Sequence, residues 1–208
     1  MKSRGFTLIE IIVSLAIFSV VAVIAIGALV RVTSANRQAQ SIQSGVNNVS
    51  FIMDSMSREL RTATNISCYF GASRGSNGLV APGSPCATNS LYTQTSDVLI
   101  TFKSSNTDSS GGNLLYAYFF NGTAGATTTI YKGEALSSSD TITSLVFNPI
   151  LSPSVNITAY NLGVFGGSTV TNPFSWLFVR LKGYVGTQAK DQSVFDVETS
   201  ISQRSSNL

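Results

Sequence analysis

The hydrophobic pattern divides this chain into unlike parts. After Met1-Lys2-Ser3-Arg4-Gly5 it turns abruptly apolar, and the 25 residues from Phe6 to Val30 carry a single charge, Glu10. The 20 residues from Ile11 to Val30 carry none. About 20 residues at about 1.5 Å each cover the roughly 30 Å of a bilayer, so the run predicts a membrane-spanning helix. Lys2 and Arg4 would keep the N-terminus in the cytoplasm, which puts everything after Val30 on the exported side. Beyond Arg31 the apolar residues become periodic. Val32, Ala35, Ala39, Ile42, Val46, Val49, Met53, Met56 and Leu60 follow at steps of three and four. This predicts that the helix continues over residues 31–63 as an amphipathic element, seated by one stripe on the globular part. Gly45 weakens that helix by about 1 kcal/mol without ending it. Charges beside the stripe are too sparse to favour a coiled coil.

From Thr64 the period changes. Residues 65–96 are rich in Gly, Ser, Asn and Pro and read as a long irregular connection. Alternating or β-rich runs follow at 97–103, 113–121, 127–132, 141–147, 155–160, 174–184 and 194–203. In the run from Phe174, Leu177, Val179 and Leu181 share one face, while Trp176, Phe178, Arg180 and Lys182 share the other. No helical period recurs. The expected fold class is therefore α+β, with a long N-terminal helix packed on an antiparallel β domain over 64–208.

Composition narrows the chemistry. Charged residues are only 11% of the chain, against roughly 25% in ordinary soluble domains. The absence of histidine removes the commonest general base and transition-metal ligand. No nucleophile–base set, phosphate-cradling glycine motif or acid–base carboxylate pair stands out, so the expectation is no enzyme and no cofactor. Two cysteines cannot supply a zinc site; Cys68 and Cys86 read as a disulfide if exported, or as two free thiols in a reducing cytosol. Residues 104–111 (Ser-Ser-Asn-Thr-Asp-Ser-Ser-Gly) offer one carboxylate, Asp108, and read as a hairpin turn rather than a calcium loop.

Glu10 is the feature that a plain membrane anchor does not explain, because a charge in hydrocarbon costs about 3 kcal/mol or more and calls for a partner. An ordinary secretory signal has a shorter apolar core than this run. Gly5-Phe6-Thr7-Leu8-Ile9-Glu10, after a short basic leader and before a long apolar helix, resembles the processing motif of type IV prepilins. The resemblance implies a leader at 1–5, cleavage between Gly5 and Phe6 by a membrane prepilin peptidase, N-methylation of Phe6, and an assembly helix at 6–30. It also implies that Glu10 neutralises the N-terminal amine of a neighbouring subunit in a filament. Many major pilins carry a proline within the apolar segment. Here none precedes Pro82, and Gly27 near that position loosens a helix less strongly.

The segment from Met53 to Ala63 (Met-Asp-Ser-Met-Ser-Arg-Glu-Leu-Arg-Thr-Ala) is similar to that of J-like minor pseudopilins and W-like minor pilins. For Arg58, Glu59 and Arg61 themselves, the default expectation is a solvated helix face. The implied partners are other pilins or pseudopilins, the prepilin peptidase, an inner-membrane platform protein and an assembly ATPase. The implied location is the inner membrane, single-pass, and then a periplasmic or extracellular filament. A second function class is a filament-displayed binding module for DNA uptake or adhesion. Without Lys2 and Arg4, the 13 cations fall to 11 against 10 acids, which leaves only a local patch of Arg180, Lys182 and Lys190 for nucleic acid.

Overall fold

The computed structural model describes residues 7–74, 80–81, 83–87, 90–93, 97–122, 128–165, 176–186 and 192–202. Helix α1 runs Leu8–Thr62 and is unbroken at Gly27 and Gly45. The chain forms two units that divide between Ser41 and Ile42. In the first, the large apolar side chains of α1 from Leu8 to Val32 are all exposed. This helix is long and apolar enough to cross a membrane by length and composition.

In the second unit the remaining turns of α1 meet an antiparallel β structure. Strands β1 (Thr64–Phe70), β2 (Ser73–Arg74), β3 (Val80–Ala81), β4 (Ser84–Pro85) and β5 (Ser90–Thr93) follow the helix. Then come β6 (Val98–Thr107), β7 (Asn113–Phe120), β8 (Ile130–Glu134), β9 (Val146–Pro149), β10 (Val155–Phe165), β11 (Trp176–Val185) and β12 (Ser193–Ser202). A six-stranded sheet has the order β4-β1-β6-β7-β8-β9, and a four-stranded sheet has the order β12-β11-β10-β5. Strands β2 and β3 pair by themselves.

The main core gathers Val49, Met53, Met56 and Leu60 of α1 with the inner faces of both sheets. Strands β6 and β7 contribute Val98, Ile100, Phe102, Tyr118 and Phe120; β10 and β11 contribute Ile157, Leu162, Val164, Val179 and Leu181. Leu99, Ala117 and Phe119 project from the opposite face of β6 and β7 into a second cluster with Ala72, Leu145 and Phe147. The middle of the six-stranded sheet is thus covered on both faces, which is why Val98–Phe102 and Ala117–Phe120 do not alternate with polar residues. Strand β11 has solvent on one side and does alternate. Leu177, Val179 and Leu181 are buried, while Trp176 and Lys182 are exposed.

The α+β layout agrees with the sequence pattern, and several details correct it. The segment 65–96 is not one irregular connection. Strand β1 starts directly after Ala63, and Cys68, Tyr69 and Phe70 pair with Ile100, Leu99 and Val98 of β6. Its ladder is with a strand distant in sequence, so local composition hid it. The run at 141–147 splits into a 3-10 turn, Ile142–Ser144, and β9. Strand β10 continues past Tyr160 to Phe165, with a register shift between Ile157 and Ala159.

The helical stripe is also rephased. Gly45 and Ile52 are buried, whereas Val46 is exposed. Gly45 lies against Val185 at the end of β11, so close that a Cβ at this position would overlap the valine side chain. The glycine that weakens the helix is what lets the strand end approach it. In an open helix Gly45→Ala would stabilise by about 1 kcal/mol. Here we expect destabilisation of about 1–3 kcal/mol from overpacking, read as a lower melting temperature of the full-length protein in detergent. Adding Val185→Ala should reverse the sign. A Gly45→Ala chain that melts higher in the wild-type background would contradict the contact.

Candidate functional site

Glu10 lies in the first turn of α1. Thr7 caps the turn, its carbonyl accepting from the amides of Glu10 at 3.1 Å and Ile11 at 3.3 Å. The Thr7 hydroxyl lies 3.4 Å from Glu10 Oε2 and donates to it. Ser14 Oγ donates to the Glu10 carbonyl and Ser19 Oγ to the Leu15 carbonyl, both at 2.7 Å. These hydroxyls are satisfied inside the helix, so they do not demand water or a neighbour. The Glu10 carboxylate is different: among the described residues no cation pairs with it. It is an exposed acid in an otherwise apolar run. Gly5 and Phe6, the expected processing pair, lie outside the described residues.

Residues 1–26 match a family model described as the prokaryotic N-terminal methylation motif. The match covers the N-terminal segment. The matched stretch contains Gly5, Phe6 and Glu10 together with most of the apolar run. It supports a type IV pilin-like structural subunit, anchored through one N-terminal helix, and general association with other pilins and a prepilin peptidase. No curated protein and no solved structure matches the chain.

Beyond the motif, a polar cluster ties α1 to the six-stranded sheet. The Glu59 carboxylate receives the Tyr118 hydroxyl at 2.7 Å on Oε2 and Lys132 Nζ at 2.7 Å on Oε1. Ser55 Oγ adds a third donor at 3.3 Å. Lys132 also lies 3.5 Å from Glu134 and 5.2 Å from the centre of the Tyr116 ring. Glu59 and Lys132 are about three-quarters shielded, with side-chain exposures of 27% and 22%. A solvated face was the expectation for Glu59, and it is the wrong one. Its two partners on the sheet lie 59 and 73 residues further along the chain, beyond the reach of any local pattern. Arg58 and Arg61 are exposed, as that expectation had it.

The electrostatics follow from this geometry. Burial, then the nearby charge and hydrogen bond of Glu59, push the Tyr118 hydroxyl well above the ordinary tyrosine range. Burial pulls Lys132 down, but the hydrogen bond and charge of Glu59, together with Glu134, outweigh it and hold the ammonium above its usual value.

The other candidate groups are absorbed by structural work. Cys68 and Cys86 are joined as a disulfide with Cα atoms 5.3 Å apart, both buried in the main core, and the Cys86 amide donates to the Cys68 carbonyl at 2.9 Å. Asp108 sits in the turn after β6. Its Oδ1 accepts from the amides of Ser110 and Gly112 and from the Ser110 hydroxyl, and its Oδ2 accepts from the Ser138 amide at 2.9 Å. Hydrogen bonds from Ser138, then from Ser110 and Gly112, hold its carboxyl far below the usual range. The acid organises two loops, and no metal-ligating cluster of acids and cysteines occurs among the described residues.

On the outer face of the four-stranded sheet, Arg180 grips Asp196 through Nε at 2.8 Å and Nη2 at 2.7 Å, and Lys182 reaches the same acid at 3.2 Å. The hydrogen bond from Arg180 leads in lowering the Asp196 carboxyl to about 2. Of the three cations that left room for a local nucleic-acid patch, Arg180 and Lys182 are therefore already paired, and Lys190 lies outside the described residues.

Glu59→Ala should destabilise the protein by about 2 kcal/mol, since it leaves a half-buried ammonium and a buried phenol without their acceptor. The alkaline side carries a second expectation. Lys132 and Tyr118 are both raised in the folded state, so their contribution is fully present below their ordinary values of 10.5 and 10.0 and is lost as pH rises through the raised ones. Thermal stability should fall above about pH 10, less steeply in Lys132→Met. An unchanged melting temperature in Glu59→Ala would remove the cluster from the contacts that hold helix to sheet.

Proposed function

We propose that this chain is a minor subunit of a type IV filament system, a minor pseudopilin or minor pilin that helps initiate or cap assembly of a secretion pseudopilus or pilus. In this reading the precursor inserts with Lys2 and Arg4 in the cytoplasm, loses residues 1–5 to a prepilin peptidase, and is methylated on Phe6. The β domain is exported, where Cys68 and Cys86 oxidise. A platform protein and an assembly ATPase drive polymerisation. The resemblance of residues 53–63 to J-like and W-like subunits supports the minor role.

The observation that carries the proposal is Glu10 within the methylation motif, an acid with no cation of its own among the described residues. Cleavage before Phe6 creates an amine four residues away in sequence, at nearly the same membrane depth. The two charges meet between subunits, and pairing there offsets most of the cost of holding each in hydrocarbon. Display of a DNA-binding patch receives no support from Arg180 and Lys182, which are held by Asp196.

Processing is read by intact mass or N-terminal peptides from a host that has the peptidase. The mature chain should begin with N-methyl-Phe6; a chain starting at Met1, or cut after the apolar run, refutes the assignment. Glu10→Gln should leave insertion, cleavage and the β domain unchanged while co-purification with partner pilins falls roughly tenfold or more, the equivalent of about 1.4 kcal/mol or greater. Equal association of mutant and wild type would defeat the charge-pairing account.

A further inference from the structure

A sheet exposes two edges, and an unpaired edge is a template for another strand unless it is shortened, interrupted or charged. In the six-stranded sheet the edges are β4, two residues long and ending in Pro85, and β9, four residues long and ending in Pro149. One edge of the four-stranded sheet is β5, also four residues long. The other edge is unlike these three. Strand β12 has ten residues with no proline, lysine or arginine, and it pairs with β11 from Ser193 to Ser202 without any register shift. Among the described residues it has no second neighbour. Its acids, Asp196 and Glu198, do not protect it, because Arg180 and Lys182 of β11 draw them onto the outer face of the sheet.

The space beside this edge has its own chemistry. Thr199 and Ser202 of β12 line a cleft of about 800 Å³ whose other wall is α1, through Asp54, Ser57, Arg58, Arg61 and Thr62. The two guanidinium groups outnumber the one carboxylate. Neither Arg58 nor Arg61 has an ion-pair partner among the described residues. A regular open edge supplies backbone donors and acceptors along its length, and the arginines supply fork-shaped donors matched to carboxylates.

We propose that β12 and the cleft beside it receive an extended, carboxylate-bearing segment of a different subunit. The segment adds to the four-stranded sheet as a new edge strand, and its acidic side chains engage Arg58 and Arg61. The backbone ladder provides most of the attachment and the arginines select the partner. This contact rests on the filament reading proposed above, but it belongs to the β unit and does not depend on Glu10.

The test places a photo-crosslinking residue at Ser202 of the full-length chain, in membranes of a host that holds the partner subunits. Crosslinks should join Ser202 to a distinct subunit, within a segment that contains Asp or Glu. Arg58→Glu/Arg61→Glu should cut the yield roughly tenfold or more. A photo-residue at Leu136, exposed on another part of the unit, should not respond to the charge reversal. Both arginines are exposed, so the fold should survive; the melting temperature checks this, and Arg58→Gln/Arg61→Gln replaces the pair if it does not. Crosslinks only within the chain, to a second copy or to lipid overturn the proposal, as does a partner crosslink that survives charge reversal. Absence of a partner crosslink in the chain with both arginines intact, while Glu10-dependent co-purification persists, would overturn this contact and leave the filament assignment standing.

Discussion

Burial of Val49, Met53, Met56 and Leu60 is the contact on which the rest of the β unit depends. Each such side chain contributes about 1.5–3 kcal/mol when fully withdrawn from water, and all four are at most 4% exposed. They share one core with the inner faces of both sheets, which also meet directly where the Phe120 ring packs on Tyr160. The polar cluster at Glu59 acts on top of this burial. It fixes the rotation of the helix on the sheet, because only one phase brings a carboxylate to Tyr118 and Lys132 while the methionines and Leu60 face inward.

How much of this was legible in the sequence depends on the range of each interaction. The helix, its long apolar start and the alternation in β11 are local patterns, and the structure has them. The stripe was legible as a stripe but not in phase. Val46 looks like the better core residue, yet Gly45 is the buried one, because Val185, 140 positions away, occupies the space a side chain would need. Strand β1 was missed for a similar reason: its partner is β6, and its neighbourhood of Gly, Ser, Asn and Pro reads as loop. Asn65 at its start has φ +51°, where the ladder to β6 shifts register, so even the strand itself begins irregularly.

The candidate site divides the same way. Glu10 stood out as a candidate because a lone acid in an apolar run is anomalous at short range and sits within a six-residue motif. Glu59 did not, since an acid between two arginines near a helix end looks like any solvated face. Asp108 and the cysteines occupy an intermediate place. Their residue types suggested a turn and a covalent tie, but only the structure shows that the Asp108 carboxylate reaches Ser138 as well as its own turn.

The two glutamates of α1 pose one physical problem with opposite solutions. Each is a carboxylate on a helix whose surroundings disfavour an unpaired charge. At Glu59 the chain supplies the answer itself, with three donors on two strands and the helix, so the acid can be shielded inside one subunit. At Glu10 the described chain supplies only the Thr7 hydroxyl, a weak neutral donor at 3.4 Å. A neutral hydroxyl does not compensate a charge in hydrocarbon. Under the filament reading proposed above, the remaining stabilisation comes from the amine of a neighbouring subunit, and that need turns membrane insertion into a reason to assemble.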